Sequence, residues 1–275
     1  MKIIATLVVA AALFAGFMTK PAEVITVKGS DTMVILAQRW AEVYMAKHPN
    51  ITVQVTGGGS GVGISALING TTDICNASRP MKQSEIDKLK ARFNVLGVEI
   101  KAAKDGLSIY VNESSPVQEL SLDQLKKIYT GEVTNWKDVG GPDAKIILYG
   151  RENSSGTYVY FKDNILEGAD FSPMTQTMPG TAAVVNAVAK DKFGIGYGGA
   201  AYGKGIKYAK VKLDAKSPGY EPTEENVKNG KYPISRYLYM YTRNRPTGAL
   251  KEYIDWILSA EGQQIVTKVG YFPVK

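Results

Sequence analysis

VITVKGSDTMVILAQRW, residues 24–40, and NITVQVTGGGSGVGISALI, residues 50–68, decide the fold. Val24–Lys28 alternates as a strand, and Met33, Leu36, Ala37, Trp40 and Tyr44 make one helical stripe that Pro49 stops. Ile51–Val55 repeats the strand pattern. Ile64, Leu67 and Ile68 repeat the helix, closed by Asn69-Gly70. A strand over Asp73–Ala77, a polar-faced helix over Ser84–Arg92 and a strand over Val95–Lys101 continue the rhythm. Strands that alternate with helices at this spacing predict a largely parallel sheet.

After Asp105-Gly106 the rhythm restarts. Leu107–Val111 reads as a strand, Ser121–Tyr129 as a helix, Thr130–Pro142 as turns and Lys145–Tyr149 as a strand. Helices follow near Gly156–Ile165 and Thr181–Lys190, then a strand over Gly194–Tyr197. Ala200–Tyr232, rich in Lys, Gly and Pro, is expected to wrap the surface. Tyr237–Tyr241 reads as a strand returning to the first half, ahead of short helices over Leu250–Ser259 and Gly262–Lys268. The break predicts two α/β lobes with the chain crossing between them twice: residues 23–105 with 238–275, and residues 106–237.

Composition narrows the chemistry. The chain has 275 residues, enough for two lobes with a full core. Its only cysteine, Cys75, excludes a disulfide framework and a cysteine-built zinc site. Its only histidine, His48, sits beside Pro49 at a helix end and leaves few parts for a Ser-His-Asp triad. Lys2 precedes an uncharged run from Ile3 to Met18, too short to cross a bilayer comfortably. Residues 1–22 therefore read as a secretory signal or an N-terminal anchor, with no cysteine for lipid attachment, and the body as exported to the periplasm or an equivalent space. The formal charge is +7, and without Lys2 and Lys20 the balance is 31 basic to 26 acidic side chains. That excess is too mild to argue for nucleic acid.

Three turns share one topological place, between a strand and a helix: Gly29-Ser30-Asp31-Thr32, Gly57-Gly58-Gly59-Ser60-Gly61, and Arg151 through Thr157. Each puts hydroxyls and unpaired amides at a helix N-terminus, where the dipole is positive. Taken singly, each is ordinary: Ser30 or Asp31 as a helix cap, the glycines as a tight turn, Arg151 on the surface and Ser155 as a cap. No lysine stands where a Walker motif needs one, and Val62 occupies the last glycine position of a nucleophile elbow. Together, split across both lobes, the three turns point to an anion clamped in a cleft.

The chain resembles the phosphate-binding proteins that feed ABC-type phosphate importers, the PstS-like branch of the periplasmic binding proteins. The resemblance rests on Gly29-Ser-Asp-Thr-Met33, Gly58-Gly-Ser-Gly61, Asp73 with Ala77-Ser-Arg79, Thr130-Gly-Glu-Val-Thr-Asn-Trp136, Arg151 through Thr157, and Gly270-Tyr-Phe-Pro273. It implies an α/β, two-lobed periplasmic-binding-protein fold, type II-like. Each lobe is a mixed sheet flanked by helices, and two crossover strands join them. It also implies no catalysis and no cofactor or metal. The partners it implies are inorganic phosphate and the membrane permease of an ABC importer, for a monomer that binds no nucleic acid.

By position, the resemblance places ligand contacts on Thr32 with the Met33 backbone amide, Ser60, Asp73, Arg151, Ser155, Gly156 and Thr157. Ser30 and Arg79 are further candidates, Arg79 equally a salt-bridge residue. Arg151 offers a planar fork of donors. On this reading Asp73 accepts the proton that phosphate keeps near neutral pH, and so penalises sulfate, which has none. Without the resemblance, Asp73 is as readily a turn cap after Asn69-Gly70. Two other readings remain open at this point: a phosphate-ester hydrolase using a cleft serine, and a receptor for another tetrahedral oxyanion such as sulfate or molybdate. Eight tyrosines from Tyr197 to Tyr241, interleaved with Lys204, Lys207, Lys210, Lys212 and Lys216, read as packing within a wrapping segment, or else as a weak contact surface for acidic partners.

Overall fold

The computed structural model describes residues 23–274. The apolar start expected as a signal segment lies outside the described residues. Strand β1 (Glu23–Gly29) leads through a 3-10 turn at Asp31–Met33 into helix α1 (Val34–Lys47), then β2 (Ile51–Gly58), α2 (Ser60–Asn69), β3 (Ile74–Ala77), α3 (Gln83–Phe93) and β4 (Val98–Gly106). The second run is β5 (Ser108–Val111), β6 (Glu119–Ser121), α4 (Leu122–Thr130), β7 (Ile147–Arg151), α5 (Gly156–Asn164), β8 (Gln176–Met178), α6 (Thr181–Lys190), β9 (Gly194–Gly198), β10 (Lys207–Lys212) and α7 (Glu224–Lys228). Strand β11 (Ser235–Thr242) and helices α8 (Gly248–Ile257) and α9 (Ala260–Val269) finish the chain.

Two mixed sheets result. The first has order β2-β1-β3-β11-β4, with β1 parallel to β2 and β3, and β11 antiparallel to β3 and β4. The second has order β6-β10-β5-β9-β7-β8, with β7 parallel to β8 and β9. The chain passes between them at Gly106–Ser108 and again at Ile234–Ser235. There the Leu107 amide donates to the Ile234 carbonyl at 2.9 Å and Ser235 pairs with Gly106.

Period-two alternation divides the first sheet's residues between two cores. Ile25, Val27, Ile74, Leu238 and Met240 pack with α1, α8 and α9 on one face. Cys75, Ala77, Tyr239 and Tyr241 pack with α2 and α3 on the other. Helix α1 buries Leu36, Ala37, Trp40, Ala41 and Tyr44, the i, i+3, i+4 stripe of an amphipathic helix, and Trp40 donates to the Gly262 carbonyl. The second sheet encloses Leu107, Ile109, Tyr129, Trp136, Phe161 and Tyr197. Helix α4 opens on a reciprocal cap, Ser121 with Gln124, and ends on left-handed Gly131.

Two expectations need correction. The segment from Val95 to Gly97 is a loop, because Asn94 and Gly97 both take positive φ where α3 ends, and β4 runs instead to Gly106. Ala200–Tyr232 is not wholly a surface wrap. Strand β10 lies between β6 and β5 with Ala209 and Val211 fully buried, since Ala209-Lys210-Val211-Lys212 alternates small apolar residues with lysine. The tyrosines Tyr197, Tyr232, Tyr239 and Tyr241 are core side chains.

Candidate anion-binding site

Every strand-to-helix turn singled out by sequence lies at the carboxyl end of its strand, and the two sheets turn these ends toward each other. Backbone bonds draw the first sheet's turns together: the Ser30 amide donates to Asn76 O at 2.9 Å and the Gly59 amide to Gly29 O at 3.0 Å. The Ser78 amide donates to Ser60 Oγ at 3.0 Å. The second sheet then closes over them. The Gly61 amide donates to Ser154 O at 2.9 Å, and the hydroxyls of Thr32 and Thr157 meet at 2.8 Å. Ser30, Thr32, Ser60, Ser78, Arg151, Ser155 and Thr157 are all buried to within 2%.

Two glycines permit this approach. Gly59, at φ +95°, has no room for a side chain, since a β-carbon would lie 2.5 Å from Ser154 O. At Gly156 a β-carbon would lie 2.3 Å from Ser60 Oγ and 2.7 Å from Ser78 Oγ. The N-termini of α2 and α5 therefore face each other, and the positive ends of two helices converge on one spot.

The hydrogen-bond inventory there is weighted toward donors. Arg151 is 2% exposed and carries five N–H groups. Its Nε donates to Glu152 at 3.0 Å, Nη1 to Thr181 Oγ1 at 2.9 Å, and Nη2 to Asp31 Oδ2 at 2.8 Å. Two N–H groups, one on each Nη, have no partner among the described residues and are available to an oxyanion. Ser155 Oγ accepts from the amides of Thr157 and Tyr158, so its proton is left to donate. Asp31 ties the sheets: its Oδ1 accepts from the Gly58 amide, its Oδ2 from Arg151, and its carbonyl from the Tyr202 hydroxyl. Burial, above all, pushes Tyr202 up to about 12, which keeps that hydroxyl protonated as a donor.

Behind Thr157 lies a buried ion pair. Asp105, in β4, accepts from Nε and Nη2 of Arg236, in β11, at 3.1 and 2.9 Å, and from the Ala200 amide at 3.0 Å. Burial raises the Asp105 carboxyl above its ordinary value, although the Arg236 charge and these hydrogen bonds oppose the shift.

Among the sequence candidates, Ser30, Thr32, Ser60, Arg151, Ser155, Gly156 and Thr157 gather in the cleft. Met33 stands beside them with its side chain in the core and its amide donating to Ser30 O at 3.0 Å. Asp73 does not join them. It precedes β3, whereas the cleft lies past that strand's other end, about 16 Å away at strand rise. Its Oδ2 accepts from the amide and hydroxyl of Thr26, both at 2.8 Å, a local clasp between β1 and β3. The proton-acceptor role expected of Asp73 is therefore corrected. Arg79 follows Ser78 but spends its fork on Glu85, at 2.8 and 2.7 Å, and donates to Pro80 O, which is the salt-bridge alternative. His48 stacks on Tyr44 at 4.0 Å, at the sheet edge opposite the cleft. Among the described residues no group of three or more His, Cys, Asp or Glu is placed to hold a metal ion.

Sequence reading missed Asp31 as a lobe-spanning residue, and Ser78, Glu152, Thr181, Asp105 and Arg236. A charged residue inside the aromatic alternation of β11 was the one available signal for Arg236.

Comparison with known proteins agrees with this architecture. A family model described as the PBP superfamily domain matches residues 18–261. The phosphate-binding protein PstS of Pseudomonas aeruginosa is 36% identical over 267 residues, covering 90% of this chain and 81% of that protein. PstS of Bacillus subtilis is 35% identical over 256 residues, covering 91% and 80%. Among solved structures, a Clostridium perfringens substrate-binding protein assigned to phosphate ABC transport, with bound phosphate, superposes at a TM-score of 0.84 with 31% identity, covering 92% of this chain and all of that one. An ABC-type phosphate transport receptor from Vibrio cholerae superposes at 0.72 with 30% identity, covering 90% and 99%. A superfamily match over most of the length, and relatives above 30% identity across nine tenths of it, place the chain in the PstS family of the PBP superfamily.

Proposed function

We propose that this protein captures inorganic phosphate between its two lobes and delivers it to the permease of an ABC importer. The supporting observation is the donor excess in the cleft. Two N–H groups of Arg151, the Ser155 proton and two facing helix N-termini converge from both sheets on one buried spot. The contact set is Ser30, Thr32, Ser60, Arg151, Ser155, Gly156 and Thr157, with the Met33 amide shared between Ser30 O and the ion. The lobes, residues 23–106 with 235–274 and residues 107–234, close about the two strand crossings. The protein acts by binding alone, as a monomer outside the cytoplasm, exported by its apolar start; mass spectrometry of the exported protein reads whether residues 1–22 are removed.

The acceptor for phosphate's remaining proton falls to Asp31. An oxyanion on the free N–H groups of Arg151 lies beside Asp31 Oδ2, which shares Nη2 with it. Calorimetric titration with phosphate and with sulfate tests the whole reading. Phosphate is expected to release heat at one site per chain and sulfate to bind far more weakly. Heat with sulfate alone, or with neither ion, overturns it.

A further inference from the structure

Arg236 has no place in the contact set above, yet it is the second arginine whose guanidinium reaches the cleft. It is 8% exposed, and its side chain is buried to within 4%. The Nε and Nη2 edge rests on Asp105, and the second hydrogen of Nη2 goes to Thr157 Oγ1 at 2.9 Å. The ring of Tyr160 lies 5.2 Å from the guanidinium carbon, so the cation is also faced by an aromatic surface. Nη1 is buried, with no hydrogen-bond partner among the described residues. Because the guanidinium is planar, one N–H of Nη1 runs parallel to the Nη2–Thr157 bond, past Thr157 and toward the same cleft.

The direction of these bonds matters. Arg236 has only hydrogens to give, so Thr157 Oγ1 must accept from it. The Thr157 proton must then point elsewhere, either to Thr32 Oγ1 at 2.8 Å or to the cleft. If Thr32 accepts it, the Thr32 proton is in turn free for the cleft. A guanidinium that cannot reverse its role thus sets the polarity of a hydroxyl relay spanning both lobes. Without it, each threonine is free to accept as readily as to donate, and a share of orientations presents a lone pair to an anion.

We propose that Arg236, anchored by Asp105 where the chain crosses between lobes, is a positioning residue that forces the Thr157–Thr32 hydroxyl pair to donate to the bound oxyanion. The pairing Asp105–Arg236–Thr157–Thr32 ties both crossover strands to α5 and to the turn before α1. The ordered donors are therefore assembled only when the two lobes meet. This rests on the phosphate reading above and adds a residue that no ligand contact would reveal.

Calorimetry with phosphate as the probe tests it on wild type, Arg236→Gln, Thr157→Val, the double variant Arg236→Gln/Thr157→Val, and Arg236→Lys. Arg236→Gln is expected to weaken phosphate binding roughly tenfold or more, the worth of hydrogen bonds to a charged group. Arg236→Lys, which keeps a donor that cannot accept, is expected to bind more tightly than Arg236→Gln. The double variant is expected to fall within about threefold of the weaker single variant, since both changes break one relay. Asp105→Asn/Arg236→Gln, which removes both charges together and leaves no lone buried ion, repeats the measurement if Arg236→Gln does not fold. A wild type that binds phosphate, with an Arg236→Gln loss below threefold or with fully additive losses in the double variant, overturns this inference and leaves the phosphate reading standing. A wild type that binds neither phosphate nor sulfate overturns both.

Discussion

Asp73 and Asp31 show what separates a residue's chemistry from its place. Both are aspartates near the start of a secondary-structure element in the first lobe, and only one reaches the cleft. Asp73→Asn is expected to leave the preference for phosphate over sulfate unchanged within about twofold. By weakening the clasp on Thr26 it should cost about 1 kcal/mol of stability in a denaturant titration. Asp31→Asn is expected to narrow that preference by roughly tenfold or more, because the site then lacks its nearby carboxylate acceptor. Gly156→Ala should weaken phosphate binding by roughly ten- to a hundredfold, since its methyl group would lie 2.3 Å from Ser60 Oγ and hold the lobes apart. At this scale the hydroxyl-bearing turns were legible because strand, glycine and serine recur together in the chain. The second-rank partners were not. Nothing local in the sequence says that Thr181 will meet Arg151, or that Arg236 will meet Thr157, because those contacts are made by sheet order.

Helix α3 illustrates how an element is held to the edge of the site. Arg79 and Glu85 form a two-pronged ion pair, and Glu85 also accepts from the Lys82 amide at the helix start. Burial alone would raise the Glu85 carboxyl, but the hydrogen bonds from Arg79 and Lys82 and their charges outweigh it and hold the group below its ordinary value. A carboxyl depressed in the folded state adds stability that is full above its unfolded range and fades as pH falls through the lowered value. Melting temperature should therefore drop more steeply for wild type than for Glu85→Gln as pH is lowered below about 4.5. At neutral pH the variant should be less stable by about 2 kcal/mol, since Arg79 is left with an unmatched charge. Most elements were readable from periodicity, as α1 shows with its buried stripe ending at His48-Pro49. Strand β10 was obscured because Lys207, Lys210 and Lys212 dominate its composition while only Ala209 and Val211 carry its buried face.

For the molecule as a whole, the restart after Asp105-Gly106 gave away two lobes, and the isolated aromatic strand near the C-terminus gave away the return crossing. How the lobes meet was not written in any local pattern. Contacts across the cleft come from Asp31 on Arg151, Gly61 on Ser154 and Thr32 on Thr157. If these latch the closed form, phosphate should reduce the radius of gyration measured by solution scattering. Stopped-flow measurement should find release several-fold faster from Asp31→Asn than from wild type.

Strand β11 sits in the interior of the first sheet, wedged between β3 and β4, and pairs Tyr239 with Ala77. Until a ribosome has made nearly the whole polypeptide, β3 and β4 have no neighbour to join them and the N-terminal half cannot finish its own core. A nascent chain of this topology stays unlocked through most of its synthesis, because a strand near its C-terminal end is the wedge that completes a sheet begun within residues 23–106.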